Sequence, residues 1–349
     1  MKRALTNLSA AELVSLLKGR GQPAFRGKQI FDWLHKGADF SGMKNLPAAL
    51  LGDLDGEYAA QGARIVKTLV SKKDGTEKYL FALEDGNIVE GVFMRYAHGN
   101  TLCVSTQVGC RMGCVFCASA LDGLVRNLEP GEMLSQVLLV NALHRHGEER
   151  GVTNVVLMGS GEPLDNYENA LAFLRLLSAP GGICISLRNV SLSTCGLAPE
   201  IGRLAQEDLG LTLSISLHAA ADERRREIMP IARRYSIGEL IESCREYVKK
   251  TGRRVSFEYA LIEGVNSSLE EADALAALLR GFQCHVNLIP INRVAEGKLA
   301  APKQSAIEAF QKRLEDKGIA VSRRREMGAD IAGACGQLRR RHLSENSAS

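Results

Sequence analysis

The sequence lacks the features that direct a protein into a membrane or out of the cell. No stretch of its 349 residues reaches about 18 consecutive apolar side chains, the length that a membrane-spanning helix requires. The first residues, 1–6, have no apolar core of the kind found in signal peptides. We therefore expect a cytoplasmic protein with no membrane segment.

A disulfide framework and a strong excess of one charge are also absent. The nine cysteines occur in a chain without an export signal, which favours reduced thiols used for metal or redox chemistry. The 44 Lys and Arg residues nearly balance the 40 Asp and Glu residues, giving a net charge of +4. Short arginine clusters recur at residues 224–226, 233–234, 253–254, 323–325 and 339–341. They would bind a polyanion if they shared one face, but solvated helix faces would explain them equally well.

The most informative segment is a cysteine-rich loop at residues 109–117, which contains Cys110, Cys114 and Cys117. One tight loop can direct these three thiolates to three irons of a cubic iron–sulfur cluster, which normally takes four cysteine ligands. No nearby Cys or His pair completes the set, so one iron would keep an open position for a small molecule. The alternative is a structural zinc site, which requires a closed set of four ligands.

The pattern of apolar residues predicts an N-terminal helical region over residues 1–60 and an antiparallel β meander over residues 61–98. A capping box runs from Ser9 to Glu12, and a second helix follows Pro23. Three strand-like runs, 65–70, 78–83 and 88–94, are separated by Asp-Gly pairs that are typical of hairpin turns.

From residue 99 onward, strand-like and helix-like segments alternate, an order typical of a parallel sheet covered by helices. Six strands are predicted, at 102–108, 154–158, 189–193, 211–217, 255–261 and 285–290. A closed barrel of this type needs eight units. We therefore expect an α/β fold with a partial, open (βα)6 TIM-like barrel over residues 99–338. A basic tail, residues 339–349, is expected to be disordered.

Polar motifs directly follow the predicted strands, where α/β barrels place their active sites. A glycine-rich segment, residues 159–163, follows the second strand and contains Gly161 and Glu162. Glycine lets the backbone approach a ligand closely or adopt a positive φ. Further polar residues near strand ends are Ser193, Ser216, His218 and Asn292. Such residues often simply cap the next helix.

The other cysteines fall into two groups. Cys103 precedes the cysteine loop on the same predicted strand, and Cys335 lies between glycines after the last predicted helix. A thiol exposed on a loop can act as a nucleophile, although on general grounds either cysteine could be inert. Three others are expected to be small core residues, namely Cys184, Cys244 and Cys284, and Cys195 is ambiguous.

The cysteine loop resembles the signature of radical S-adenosylmethionine (SAM) enzymes, and a wider set of motifs resembles the RlmN family. Those enzymes are dual-specificity adenine-C2 methyltransferases of 23S rRNA and tRNA. The matching segments are FR-x-KQI at 25–30, CVS-x-Q-x-GCRMGC at 103–114, GLVRNL at 123–128, SLHA at 216–219 and ACGQL at 334–338. Together they extend from about residue 24 to residue 338, nearly the whole chain.

The resemblance implies a barrel of the radical SAM type with a small N-terminal helical plus antiparallel β accessory domain. It also implies one [4Fe–4S] cluster on Cys110, Cys114 and Cys117, with SAM bound at the open iron. The implied SAM contacts are Gly161, Glu162, Ser193, Ser216, Leu217, His218 and Asn292. A flavodoxin-like or ferredoxin-like electron donor would reduce the cluster, and we expect a monomer.

The resemblance further implies a role for three residues in methylating an adenine of the rRNA peptidyl transferase centre and of the tRNA anticodon loop. Cys335 would carry the methyl group, Cys103 would resolve the intermediate as a disulfide, and Glu90 would accept a proton. Two SAM molecules would be consumed for each methyl transferred. From its pattern alone, Glu90 would be a solvent-facing strand residue. The N-terminal helices, with Arg26, Lys28 and Lys44, would help to bind folded RNA.

Three positions depart from the family pattern. Ser160 stands where Met is usual, Cys195 replaces a small hydroxyl or apolar residue, and Ala232 stands where a polar residue is common. None of these changes removes a thiol or the Gly161-Glu162 pair. They affect the expected SAM affinity and positioning more than the expected reaction.

Two alternatives remain open from the sequence. The first is another radical SAM reaction, such as sulfur insertion or the C8 methylation performed by a sister family that acts on the same rRNA adenine. The residue pair 111–112 and Pro163 favour the C2 enzyme. The second is an RNA-binding iron–sulfur or zinc module without catalysis, which would need no SAM pocket and leaves Gly161-Glu162 unexplained.

Overall fold

The computed structural model describes residues 2–291, 299–325 and 327–331. Within these ranges the α-helices are α1 (Ala10–Gly19), α2 (Ala24–His35), α3 (Ala48–Glu57), α4 (Pro130–His144), α5 (Tyr167–Leu177), α6 (Ala198–Leu204), α7 (Asp222–Ile228), α8 (Ile237–Thr251), α9 (Leu269–Leu278) and α10 (Gln304–Asp316). The strands are β1 (Arg3–Ala4), β2 (Tyr58–Ala59), β3 (Ala63–Val70), β4 (Glu77–Leu83), β5 (Ile88–Tyr96), β6 (Gly99–Cys103), β7 (Gln107–Gly109), β8 (Leu124–Asn127), β9 (Asn154–Leu157), β10 (Val190–Thr194), β11 (Thr212–Ser216), β12 (Val255–Leu261), β13 (Cys284–Pro290) and β14 (Val321–Arg323).

The first three helices pack around a small apolar core of their own. Its buried members include Leu13, Leu17, Ile30, Leu34, Leu50 and Leu54. The predicted capping box at the start of α1 is present, because Ser9 Oγ accepts the Glu12 backbone N–H and the Glu12 carboxylate accepts that of Ser9. The predicted helix after Pro23 is α2. This region is joined to the barrel at α4, where Asn7 Oδ1 accepts the backbone N–H of Gly131 at 2.7 Å.

One sheet of ten strands forms the body of the molecule, in the order β14-β13-β12-β11-β10-β9-β6-β5-β4-β3. Strand β6 and strands β9 to β14 run parallel, with α-helices between most of them. Strands β3 to β5 form the predicted antiparallel meander, and β5 pairs antiparallel with β6. The predicted α/β barrel with an N-terminal helical and antiparallel β part is confirmed. The meander extends the barrel sheet directly.

The two faces of this sheet differ sharply in polarity. One face, which includes Leu192, Ile215 and Phe257, packs against helices in the main apolar core. The strand registers place Ser193 beside Ser214, and Glu258 beside Ser216 and Asn287, on the opposite face. Strand side chains alternate between faces, so the inner face of the barrel carries polar groups along β10 to β13.

Several local features differ from the predictions, among them a seventh parallel strand, β14, that was not predicted. The first predicted barrel strand is divided, because the chain leaves the sheet after Cys103 and β7 pairs instead with β8 in a hairpin. Helix α7 was not predicted, since its sequence carries a run of arginines and shows no apolar stripe. Cys184 was expected in the core but is exposed with φ +53°, whereas Cys244 is buried as expected.

Candidate active site

The β7–β8 hairpin holds the cysteine loop in place. Gln107 pairs with Asn127, and the Cys110 backbone N–H donates to the Gly123 carbonyl oxygen at 2.9 Å. Gly109 has a φ of +77°, and a Cβ at this position would collide with the same Gly123 oxygen. Only glycine therefore fits at the point where the strand turns into the cysteine loop.

The loop brings the thiols of Cys110, Cys114 and Cys117 into electrostatic contact. Burial, together with the negative charge of neighbouring thiolates, raises the pKa of both Cys110 and Cys114 to about 12. A bound cation would reverse this effect, because a coordinating thiol is deprotonated. Among the described residues, no group of His, Cys, Asp or Glu is arranged to hold a single metal ion. In a cubane cluster each of the three thiolates instead binds a different iron, and three sulfur donors suit that group.

Helix α7 supports the cysteine loop from one side. The Val115 backbone N–H donates to the Ile228 carbonyl oxygen at 3.1 Å, and a Cβ on Gly113 would lie 3.4 Å from Pro230 Cγ. The helix also directs Arg225 inward, although the sequence alone placed this residue in a charged surface cluster. Arg225 is completely buried, so that interpretation is wrong for this member of the cluster.

Arg225 ties together the ends of two barrel strands. Its guanidinium donates to the carbonyl oxygens of Cys195 at 2.7 Å, Ser216 at 3.3 Å and Leu217 at 3.1 Å. Its Nη1 is buried and has no hydrogen-bond partner within the described ranges. The side chain thus fixes the segments that follow β10 and β11 next to the cysteine loop.

Glu162 performs a similar task for the loop that follows β9. Its carboxylate accepts the backbone N–H of Leu164 at 3.0 Å and that of Cys195 at 2.7 Å. Its own backbone N–H donates to Gln107 Oε1 at 2.8 Å. Burial raises the pKa of Glu162. Gly161 has a φ of +109° and a Cβ there would lie 2.6 Å from Gln107 Cβ, so the glycine lets this loop pack closely on the hairpin.

The remaining SAM candidates on β10 and β11 lie at the same end of the barrel. Ser193 and Ser216 are half-buried on the inner face. The Leu217 side chain is in the apolar core, so only its backbone faces the site. Asn292 lies outside the described residues.

His218 is buried and neutral. Burial and the Arg225 charge lower the pKa of His218 to about 3. Its Nδ1 accepts the Ala260 backbone N–H at 2.9 Å, which leaves the ring proton on Nε2. The Phe116 ring of the cysteine loop packs against its imidazole edge to face, with ring centroids 4.8 Å apart. The residue also has a φ of +59°, which is unusual for a side chain other than glycine.

Glu90 and Cys103 lie on neighbouring strands, and both are buried. Glu90 is therefore not the solvent-facing strand residue that its pattern alone suggested. Its carboxylate lies 3.1 Å from the ammonium of Lys78, a fully buried residue of β4. Cys103 pairs with Val92 of β5 and packs with Met94, Val156 and Met158. Cys335 lies outside the described residues, and those residues contain no disulfide bond.

Sequence reasoning missed Lys78 and Arg225. Lys78 lies at the start of β4, directly after Glu77, and its register places it diagonal to Glu90. A search for paired charges across the meander could therefore have found it. Arg225 offered no such signal, because its neighbours in sequence are also arginines.

The N-terminal residues that were expected to bind RNA are placed along the surface near α2. Lys28 and Lys44 are exposed. Arg26 is half-buried, with its guanidinium 4.9 Å from the centroid of the exposed Phe25 ring and a hydrogen bond of 3.1 Å to the Asn45 carbonyl oxygen. In the described parts of the chain, no helix has both the length and the apolar character needed to cross a membrane.

Comparison with known proteins covers almost all of the chain. Residues 4–58 match the family model for the ribosomal RNA large subunit methyltransferase N-terminal domain, and residues 104–276 match that of the radical SAM superfamily. The chain is 50% identical to a probable dual-specificity RNA methyltransferase RlmN of Clostridium beijerinckii, covering 97% of this chain and 96% of the relative. The similarly named protein of Clostridioides difficile is also 50% identical, with 98% of each chain covered. The crystal structure of a radical SAM methyltransferase from Sphaerobacter thermophilus has a TM-score of 0.93 at 43% identity, covering 96% of this chain and 98% of that one.

Proposed function

Since the chain belongs to the RlmN family of radical SAM RNA methyltransferases, we propose that it methylates C2 of an adenine in both 23S rRNA and tRNA. The family uses a [4Fe–4S] cluster and SAM. Two SAM molecules are consumed for each methyl group, which passes to the RNA through a methylated cysteine. Because the substrates are cytoplasmic RNAs, we also propose a cytoplasmic location.

One structural relationship carries this proposal. The cysteine loop, the Gly161-Glu162 turn and His218 meet at the end of the barrel where β6, β9 and β11 finish. Two further buried residues, Glu90 and Cys103, lie on the inner face at β5 and β6. This arrangement supports a site that holds a cofactor at the mouth and a base within the barrel. A binding module without catalysis would need no such polar interior.

The cluster and SAM, when bound, supply a single electron and a 5′-deoxyadenosyl radical, chemistry that side chains cannot provide. Cys110, Cys114 and Cys117 would ligate three irons. The Gly161 turn, Ser193, Ser216 and the backbone at Leu217 would bind SAM, together with Glu162 as the residue that fixes the turn. The neutral His218 ring can donate a hydrogen bond from Nε2 without adding charge.

The protein residues explain how methyl transfer to an unreactive carbon is divided into steps. C2 of adenine is electron-poor, so it does not attack SAM directly. Cys335 takes the methyl group by displacement, forming a C–S bond as the bond to the sulfonium breaks. Once that carbon has given up one hydrogen atom to the SAM-derived radical and is joined to C2, Glu90 would accept the C2 proton. The Cys103 thiolate then attacks the Cys335 sulfur, and the S–S bond forms as the bond between sulfur and the transferred carbon breaks. That carbon takes up a proton to complete the methyl group, and the one surplus electron would return to the cluster that supplied it.

The partners follow from the same chemistry. The RNA would be bound through its phosphates by exposed basic residues near α2, including Lys28 and Lys44, and the exposed Phe25 ring offers a stacking surface. The target adenine must leave its stack to reach the barrel interior. A flavodoxin-like or ferredoxin-like protein would donate the electron, and we propose that the enzyme acts as a monomer.

Nucleoside mass spectrometry tests the proposal. Reconstituted protein is incubated anaerobically with SAM, a reductant and unmodified rRNA or tRNA transcripts, and the digested RNA is compared with synthetic 2-methyladenosine and 8-methyladenosine. We expect 2-methyladenosine in both RNAs, and none with a C114A variant. Methylation at C8, or no methylation, would overturn the substrate assignment.

A further inference from the structure

A buried lysine lies beside the proposed base. The side chain of Lys78 is 0% exposed and that of Glu90 is 6% exposed, with 3.1 Å between Lys78 Nζ and Glu90 Oε2. Lysine is among the residues least often fully buried in proteins. Two opposite charges removed from water at this place need an explanation beyond packing, because solvation energy is lost when each is buried.

The strand register places this ion pair on the same face as Cys103. Leu80 pairs with Glu90 across β4 and β5, so Lys78 is a diagonal neighbour of Glu90. Val92 pairs with Cys103 across β5 and β6. Residues two apart on a strand share a face, so Glu90 and Cys103 are diagonal neighbours too, at a separation of roughly 7–8 Å.

The Glu90 backbone is also fixed at the mouth of the site. Its carbonyl oxygen accepts the Ser105 hydroxyl at 2.7 Å, and Ser105 lies between β6 and the cysteine-loop hairpin. Glu90 is therefore fixed at two points. Ser105, near the cysteine loop, binds its carbonyl oxygen, and Lys78 binds its carboxylate.

The apolar packing of the meander does not depend on this pair. The helix-facing side of β4 and β5 carries Tyr79, Phe81, Val89 and Phe93, all buried in the main core. Lys78 and Glu90 point to the other side, toward the barrel interior. Apolar residues of similar volume would satisfy a purely structural role there without the loss of solvation.

We propose that Lys78 is a positioning residue for Glu90, an inference that rests on the proposed function. Its ammonium compensates the charge of the buried carboxylate and holds Oε2 in place. In the proton-transfer step the C2–H bond breaks, its electron pair stays on the adenine ring, and an O–H bond forms on the Glu90 carboxylate. Lys78 keeps its three protons throughout. Without it, the carboxylate would be a misplaced and uncompensated buried group.

The variants K78M, K78R and E90Q test this role. For K78M we expect product release to slow by about 10- to 100-fold, while uncoupled SAM cleavage and iron content stay at wild-type values. Covalent protein–RNA adduct should accumulate on denaturing gels even though Cys103 is present. K78R keeps a cation in place and should recover most of the lost rate.

An isotope effect separates positioning from a general loss of structure. RNA carrying deuterium at adenine C2 should react more slowly than unlabelled RNA with K78M, because proton removal has become rate-limiting. Wild-type release rates, no adduct and an unchanged isotope effect for K78M would overturn the proposal.

A double variant keeps the test decisive if K78M alone folds poorly. K78M/E90Q removes both charges, which is far less costly than leaving one unpaired. If Lys78 acts through Glu90, this variant should be no slower than E90Q; a further tenfold loss would refute that. Failure of the proposed function would give a different result. In that case the wild-type enzyme would form no 2-methyladenosine, and the C103A variant would form no protein–RNA adduct.

Discussion

The carboxylate of Glu162 accepts the backbone N–H of Cys195 at 2.7 Å, and this bond joins the loops that follow two adjacent parallel strands. The other carboxylate oxygen accepts the N–H of Leu164, and the Glu162 N–H donates to Gln107 in the cysteine-loop hairpin. Each carboxylate oxygen thus accepts one backbone N–H, and the carboxylate fixes the geometry of the loop that contains it.

Replacing Glu162 by glutamine should destabilise the protein even without any cofactor. An amide can accept only through its oxygen, so one buried N–H would face an NH2 group and lose its partner. We expect a loss of about 1–3 kcal/mol in the free energy of unfolding, measured by denaturant titration of the apo protein. The control is E168Q, which breaks an exposed ion pair with Arg203 and should cost less than about 1 kcal/mol. Equal stability of E162Q and wild type would contradict the assigned role.

Gly109 and Gly123 offer a matched pair for the cysteine loop. Both have a positive φ, but a Cβ collides with backbone only at Gly109, whereas Gly123 has open space. Alanine at either site adds the strain of a positive φ, roughly 1 kcal/mol, and only G109A should also distort the loop. We expect G109A to lose most of its iron after anaerobic reconstitution and G123A to retain it. Iron analysis and the visible absorption of the cluster measure the difference, and full iron loading of G109A would count against a role for this turn in presenting the thiols.

The order of strands and helices could be predicted from the sequence because the apolar periodicity is strong in the barrel. Strand β12 was predicted with its observed bounds, and β13 began one residue earlier than predicted. The alternation of exposed and buried positions could not be predicted for the meander. A charged residue in a strand is ordinarily expected on the solvent-facing side, which is why Glu90 was expected at the surface. Strand β5 is instead buried on both faces from Ile88 to Met94.

The position of helix α7 illustrates a second limit. Its inward side includes Arg225, which binds three carbonyl oxygens at or just after the ends of β10 and β11. Such contacts depend on tertiary structure and produce no periodic pattern of apolar residues in the sequence. The cysteine loop, in contrast, could be recognised directly, because the spacing of its three cysteines in the sequence is itself the signature of the site.

His35 should make the stability of the protein depend on pH. Burial lowers the pKa of His35 to about 4 from an ordinary value of 6.5, and its Nδ1 accepts the Ile183 backbone N–H at 3.0 Å. Between these two values the unfolded chain binds a proton that the folded chain does not, so stability falls as the pH falls from 6.5 toward 4. The full contribution is roughly 3 kcal/mol, of which roughly 2 should be lost by pH 5.

The H35N variant isolates this contribution, because Asn keeps an acceptor near the Nδ1 position and does not titrate. Denaturant unfolding at pH 7 and at pH 5 should show a smaller drop for H35N than for wild type. His98 is exposed, and H98N should keep the wild-type difference between the two pH values. An equal drop in H35N and wild type would show that this histidine is not the group responsible.

The two cysteines outside the cluster set should fail in different ways, because their proposed roles differ. C335A has no thiol to accept the first methyl group, so it should form neither methylated RNA nor a protein–RNA adduct. C103A can still be methylated on Cys335 and join its carbon to adenine, but it cannot form the disulfide that releases the product. Denaturing gels of RNA purified with each variant should therefore show a covalent band for C103A alone. C244A is the control: Cys244 is fully buried in the core, and its loss should lower stability while leaving turnover intact. If both cysteines only filled space, C103A and C335A would behave like C244A, and normal product release by either one would disprove the assigned chemistry.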